Sequence, residues 1–390
     1  MNEARNSSFR SQIGPLLFLV GIFFLNLLAR IILSPLMPTV EKDLKIGHDE
    51  AGSLFLLISL GYCLGMLASG FVSSRLRHRG TIVLSSIAVG FGLMIVSVSH
   101  NLWPIRIGLI FLGMAAGLYL PSGIATLTEL VPPKNWGKAI AIHELAPNLG
   151  FVTAPLLAEV LLGLFSWQGV MLYIGIASII AGSIFIFFGK GGASLGQAPN
   201  PRVLRSILAE PSLWIMMLLF GLAVGSSFGI YSIIPLYLVS ERGMDRSWAN
   251  TLLGMSRILT SFMVLLGGWV MDRWGLKKTL QAVFMSTGVI TILLGMAYGP
   301  WLILFIFLQP MFAACFFSAG FVALSRIGSP SMTNVAISLT APISSLLGGG
   351  AVPAGIGLMG EAGSFSSGIA MFGGLLFGGV ILVRFLRFEK

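Results

Sequence analysis

The sequence predicts an all-α membrane protein of twelve transmembrane helices in two six-helix halves. Three observations carry that expectation. Of 390 residues, 56% are hydrophobic and only 10% charged, with a mean hydropathy of +0.93; a soluble domain of this length carries far more charge. Long apolar runs between charged or Pro/Gly-rich breaks form twelve segments, each close to the roughly 20 residues that a bilayer core demands. A short basic signature also recurs half a chain apart.

The first six segments centre near Leu25, Ser59, Gly90, Met114, Phe151 and Ser178, giving an N-terminal half over residues 1–189. Residues 190–210, rich in Gly, Pro, Asn and Ser with scattered Arg, read as a cytoplasmic linker. The second six centre near Val224, Ile258, Ile290, Met311, Ile343 and Leu376, giving a C-terminal half over 211–390. No small-residue cleavage site follows the first apolar run, which is therefore expected to stay as helix 1 rather than be removed as a signal peptide.

Charge sets the expected orientation. The net charge is +10, which by itself invites a nucleic-acid partner. Position argues otherwise. Of the 24 Lys and Arg, Arg30, Arg106 and Arg257 fall inside helices, and Lys42, Lys45, Arg242 and Arg246 fall on one side; the other 17 fall on the opposite side. The positive-inside rule then predicts an inner-membrane protein with both termini cytoplasmic. The excess charge is topology, so the lipid bilayer and not a nucleic acid is the expected partner. Cys63 and Cys315 each lie in an apolar segment and imply no disulfide framework. There is no phosphate-binding Gly-Lys-Ser loop and no His/Cys/acid cluster with ligand spacing, so neither an enzyme, a cofactor nor a metal site is expected. No polar dimer face is evident, and a monomer is expected.

Two repeats relate the halves. Gly70-Phe-Val-Ser-Ser-Arg75-Leu-Arg-His-Arg79 follows helix 2, and Gly268-Trp-Val-Met-Asp272-Arg273-Trp-Gly275-Leu-Lys-Lys278 follows helix 8, 198 residues later. Ser34-Pro-Leu in helix 1 and Ile234-Pro-Leu in helix 7 recur 200 residues apart. The second basic stretch resembles the signature loop of the major facilitator superfamily, G-x-L-A-D-R-x-G-R-K. The first is a degraded copy, with Ser74 in place of the acid and Arg77 in place of the second Gly. The resemblance implies two parallel halves that rock around a midplane substrate site. It also implies a gating loop built on Gly268, Asp272, Arg273 and Arg75. Gly150-Phe-Val-Thr-Ala-Pro155 is similar to the Gly/Pro hinge motif of helix 5 in that superfamily.

An ionisable side chain in hydrocarbon costs roughly 2.5–3.5 kcal/mol on insertion scales and usually faces a cavity. Arg30 falls about 15 residues into helix 1, roughly 22 Å deep, with Asn26 one turn below it. That stretch resembles helix 1 of the anion:cation symporter family, in which the Arg engages a carboxylate substrate, although Ala29 stands here where that family has Asp. Arg257 falls near the midplane of helix 8 with Asn250, Gly254 and Ser261 on its face, and an Arg in helix 8 is similar to the monocarboxylate transporter family. A guanidinium is always charged and presents a planar fork matched to carboxylate. Tyr62 and Tyr231 are the neutral residues best suited to complete such a site. His143 and Glu144, near the start of helix 5, are candidates for a coupled proton. Arg106 and Glu159 near outer helix ends, and Glu129 and Arg326 at inner ends, read as structural or gating groups.

The expected function is secondary transport of a small organic anion, a carboxylate, by alternating access, with protons as the coupled cation. Efflux of an amphipathic or drug-like compound is the alternative. The scarcity of intramembrane acids argues against cationic drugs.

Overall fold

The structure, a computed structural model, describes residues 9–197, 201–327 and 333–387. Arg5 and Lys390 lie outside the described residues, as do the side chains of Arg10, Arg202, Ser261 and Asn334. Among the described residues the chain is helical throughout. Helix 1 is Phe9–Ile31 continued by Leu33–Leu44, and helices 2 and 3 are the two arms of His48–Ser97. Those arms part at Arg77, whose φ of 62° is not helical. Helix 4 is Leu102–Gly117 and Tyr119–Leu130, helix 5 is Trp136–His143 and Leu145–Leu162, and helix 6 is Trp167–Phe188. A short helix, Pro201–Leu208, precedes helix 7, which runs Pro211–Val224 and Ile230–Ser240 around a π-turn at Gly225–Gly229. Helix 8 is Arg246–Ser256 and Thr260–Trp274, helix 9 Leu276–Met296, and helix 10 Gly299–Ser325. Helix 11 runs Thr333–Ser344 and Val352–Glu361 around a π-turn at Ser345–Ala351, and helix 12 is Phe365–Leu382.

Among the described residues ten helical spans are long and apolar enough to cross a membrane. Twelve helices result because one of those spans, His48–Ser97, holds two arms, and because helix 8 is interrupted near its middle. Large apolar side chains such as Phe187, Phe188 and Leu265 are about three-quarters exposed, as contact with lipid tails requires and contact with water would not tolerate.

Helix 8 was expected to be continuous and is not. Helices 1, 4 and 5 are broken in the same way, and for three of the four breaks the cause is a proline. Pro lacks an N–H and its ring clashes with the carbonyl four residues back. Pro35, Pro121 and Pro147 therefore leave the carbonyls of Ile31, Gly117 and His143 without their helical partner, and the turns at Ile32, Leu118 and Glu144 follow at once. The Asn148 amide donates to the neighbouring Glu144 carbonyl (2.9 Å). In helix 8 the disturbance comes from hydroxyls: Ser256 donates to the Leu253 carbonyl (2.8 Å) and Thr260 to the Arg257 carbonyl (2.6 Å). Back-bonding of this kind competes with the helical ladder.

The chain forms two compact units that cut across its order. The first is Met1–Leu33 with Leu60–Ala198; the second is Ser34–Ser59 with Pro199–Lys390. Within the first, Leu16, Leu19, Phe23, Tyr119, Leu127 and Phe185 are core residues, with Phe18 edge-on to Phe185 at 5.3 Å. The start of the linker also belongs to it. Glu129, at the end of helix 4, accepts from the N–H groups of Gly192 (2.8 Å) and Ala193 (3.1 Å) and from the Ser194 hydroxyl. Arg79 N–H donates to the Gly192 carbonyl (2.8 Å). Gly192 takes φ of 70° and has Arg79 N and Thr126 Oγ1 where a Cβ would stand.

Within the second unit, the hairpin 34–59 is tied to the C-terminal helices by backbone and polar contacts. Ser34 donates to the Tyr231 carbonyl (2.9 Å), the Asn250 amide to the Pro35 carbonyl (3.1 Å), and Glu361 accepts from the His48 N–H (2.7 Å). Helices 7 and 11 cross backbone to backbone: a Cβ on Gly348 would overlap Gly221 O and Gly225 N, and one on Gly229 would overlap Gly348 O. Gly348→Ala is therefore expected to destabilise by about 1–3 kcal/mol through overpacking, read as a lower apparent Tm of detergent-purified protein. Gly378→Ala, where a Cβ meets nothing within 4 Å, is the matched control and should melt as the parent does.

Candidate functional site

Each compact unit holds one buried arginine stacked on a tyrosine. In the first, Arg30 is 6% exposed and its guanidinium carbon lies 3.4 Å from the Tyr62 ring centroid. Arg30 sits two residues before the break at Ile32. In the second, Arg257 is 6% exposed and lies 4.9 Å from the ring centroid of Tyr231, itself fully buried. Arg257 is the residue at which the first segment of helix 8 ends. A cation over an aromatic face is held by the ring quadrupole. The two guanidiniums are thus desolvated and held against aromatic rings.

Around Arg257, Ile230, Ile234, Leu253, Leu294, Ile306 and Gln309 enclose a cavity of ≈ 10 Å³. That volume holds about one water, so a polyatomic anion enters this cavity only when these neighbours move. Gln309 anchors this wall by donating to the Ser226 carbonyl (2.8 Å), one of the carbonyls in the π-turn of helix 7. π-turns concentrate at functional sites. The pair at Gly225–Gly229 and Ser345–Ala351 is a feature that reading the sequence missed, and its only signal is the clustering of Gly and Ser in those two stretches.

Other predicted residues fall elsewhere. The Asn26 amide donates to Ser85 Oγ and to the Ala116 carbonyl, both at 3.3 Å, so it joins helices 1, 3 and 4. Asn250 likewise is engaged with Pro35. Arg106 lies over the Trp103 ring at 5.1 Å. In the loop after helix 8, Asp272 and Arg273 are exposed, Arg273 stacks on Trp269 at 4.1 Å, and Gly275 takes φ of 79°. Gly268 has open space where a Cβ would stand, and Arg75 is exposed.

His143 and Glu144 are brought together, with different surroundings. His143 is fully buried and Glu144 is half exposed, with Nδ1 of the one 3.5 Å from Oε1 of the other. The imidazole stacks on Phe23 (centroids 4.4 Å apart, 11° between planes) and its Nε2 lies 3.2 Å from the Tyr119 hydroxyl. Tyr119 donates to the Leu19 carbonyl at 2.8 Å.

Twelve helices, several broken beside buried polar groups, define a polytopic membrane protein. The sequence profile of the Major Facilitator Superfamily matches residues 19–302, and the chain belongs to that superfamily. It is similar to the probable nitrate transporter NarT of Staphylococcus haemolyticus (strain JCSC1435), 23% identical over 270 residues covering 68% of this chain and 69% of the relative. NarT of Staphylococcus carnosus (strain TM300) is 24% identical over 275 residues, 68% of each chain. Among solved structures, a bacterial homologue of the human lysosomal transporter Spinster, inward-facing and unoccupied, superposes with a TM-score of 0.78 at 17% identity, covering 97% of this chain and 95% of the other. The nucleoside transporter NupG gives 0.78 at 14% identity, covering 95% and 99%. These structural likenesses show the fold.

Stacking on Tyr62 predicts that Tyr62→Leu destabilises by about 0.5–2 kcal/mol, the range of a cation–π contact, whereas Tyr62→Phe, which keeps the ring, loses much less. Thermal melts of the two variants in one detergent check the order.

Proposed function

We propose that this transporter carries a small planar monoanion, driven by protons, and that Arg30 and Arg257 are the groups that recognise it. The observation that carries this reading is the pair of buried guanidiniums, each held by the face of a tyrosine. Nitrate and carboxylate share a flat, trigonal arrangement of oxygens that a guanidinium fork meets with two parallel hydrogen bonds. The relatives named as nitrate transporters support the inorganic member of that class; the resemblance of helices 1 and 8 to carboxylate-transporting families supports the organic one. The basic loops are cytoplasmic in this reading. An anion entering a negative-inside cell then works against about 2.3 kcal/mol per charge per 100 mV, so a cation must accompany it. His143 and Glu144 are the groups offered for that cation.

Detergent-purified protein tests the substrate class by thermal stabilisation against nitrate, nitrite, formate, lactate and cationic amphiphiles. A ligand present at 100 times its Kd adds about 2.7 kcal/mol to the native state, and the expected result is such a shift with nitrate or a small carboxylate. Arg257→Lys, which keeps the charge and loses the fork, should abolish the shift. Stabilisation by cationic or neutral amphiphiles alone would overturn the reading.

A further inference from the structure

The hydrogen bonds around His143 fix its tautomer, and this decides which atom is available to titrate. A carbonyl oxygen only accepts. The single hydroxyl proton of Tyr119 therefore goes to Leu19 O, 2.8 Å away. With that proton spent, the Tyr119 oxygen can only accept from His143 Nε2 at 3.2 Å. Nε2 carries the hydrogen, and in the neutral imidazole Nδ1 carries the lone pair. That lone pair points toward Glu144 Oε1 at 3.5 Å. Nδ1 is buried and makes no hydrogen bond within the usual distance.

Two acceptors thus face each other, one with no exposure and one half exposed. One proton satisfies both. Without it, the pair carries the net charge of one carboxylate and sets a lone pair against an anion. With it, the pair is net neutral, whether written as imidazolium and carboxylate or as imidazole and carboxylic acid. We infer that His143 Nδ1 and Glu144 form the proton-binding site of this transporter, with Tyr119 as the positioning residue that assigns the hydrogen to Nε2.

The groups facing His143 are few. Helix 1 contributes the Phe23 ring and the Leu19 carbonyl, helix 4 contributes Tyr119, and its own helix contributes Glu144. Phe23 stacks on both aromatic partners, at 4.4 Å from His143 and 5.2 Å from Tyr119, and holds the three rings nearly parallel. The proton enters from water at the half-exposed Glu144 carboxylate and passes to Nδ1, forming the Nδ1–H bond and breaking the carboxyl O–H bond; release reverses both. No other reactant is needed. Both breaks are built where this exchange needs them: Pro121 turns helix 4 just before Tyr119, and Pro147 turns helix 5 at Glu144.

This inference rests on the anion-transport reading, and the test separates the two. Full-length protein in liposomes with an internal pH dye is assayed for nitrate–nitrate exchange at equal pH and for proton movement accompanying net nitrate entry. Formate replaces nitrate in a parallel set. In the parent chain both activities are expected. His143→Gln can still donate to Tyr119 but binds no proton; exchange should persist while nitrate-driven proton movement is lost. Tyr119→Phe removes the acceptor for Nε2–H, which both charged donors of an imidazolium need, and should move the pH of half-maximal uptake to more acid values. A merely structural tyrosine would change the amplitude and leave that midpoint in place. If His143→Gln fails to assemble, Glu144→Gln in the same assay is expected to lose proton movement and keep exchange. A His143→Gln protein that still moves protons overturns the inference and leaves the transport reading intact; parent protein that exchanges anion without moving protons overturns the inference together with the proton drive, and leaves only the planar anion as substrate. Absence of exchange with both anions in the parent overturns the anion reading, and the inference with it.

Discussion

A backbone in hydrocarbon must satisfy its own hydrogen bonds, because no water is present to do so. Everything specific about this structure follows from where that rule is locally relaxed. Three prolines and one pair of hydroxyl-bearing residues interrupt helices 1, 4, 5 and 8, and each interruption lies within two residues of a polar group buried in the protein: Arg30, Tyr119, His143 and Arg257. The association has a physical basis. A break frees carbonyls and lets side chains leave the regular helical spacing, so that a charge can meet partners that an unbroken helix would hold apart. It also introduces local compliance at the residue that has to bind and release.

The two arginine–tyrosine pairs show how a permanent charge is kept inside such a protein. A tyrosine face stabilises each cation through its quadrupole, and burial keeps both guanidiniums out of bulk water. The small cavity beside Arg257 adds a second condition: filling it with more than a water requires the Ile230, Leu253 and Ile306 side chains to rearrange.

The helix number and the class of protein were legible in the sequence because they rest on composition and length. Arg30, Arg257, Tyr62 and Tyr231 were legible as candidates because a charge or a ring in an apolar run stands out against its background. The breaks were legible in principle, since Pro35, Pro121 and Pro147 are visible, but a proline in a membrane helix does not announce whether it kinks, breaks or is tolerated. Asn26 illustrates a different limit: its position one turn from Arg30 suggested a shared role, and only the placement of Ser85 and Ala116 across the bundle reveals that its amide is committed to helix contacts. The role of Tyr119 depends on the direction of a single hydroxyl proton relative to Leu19 O, which no spacing encodes. Glu129 was assigned to gating or topology, and its bonds to Gly192, Ala193 and Ser194 depend on a chain reversal that two adjacent left-handed glycines permit.

The grouping of residues 34–59 with the C-terminal helices has a consequence for how the protein is made. The bond from His48 N–H to Glu361 closes a loop of 313 residues. Segments emerge from the ribosome in order, so this hairpin is in the membrane long before helix 11 exists, and its polar termini wait there without their final partners. The second unit can be completed only by material synthesised at the beginning of the chain. A chimera that exchanges the first six helices with those of a relative would therefore replace part of both units. A cleaner graft would take its crossovers at residues 33–34 and 59–60 as well as in the linker, treating the hairpin as cargo of the half it joins rather than of the half that precedes it.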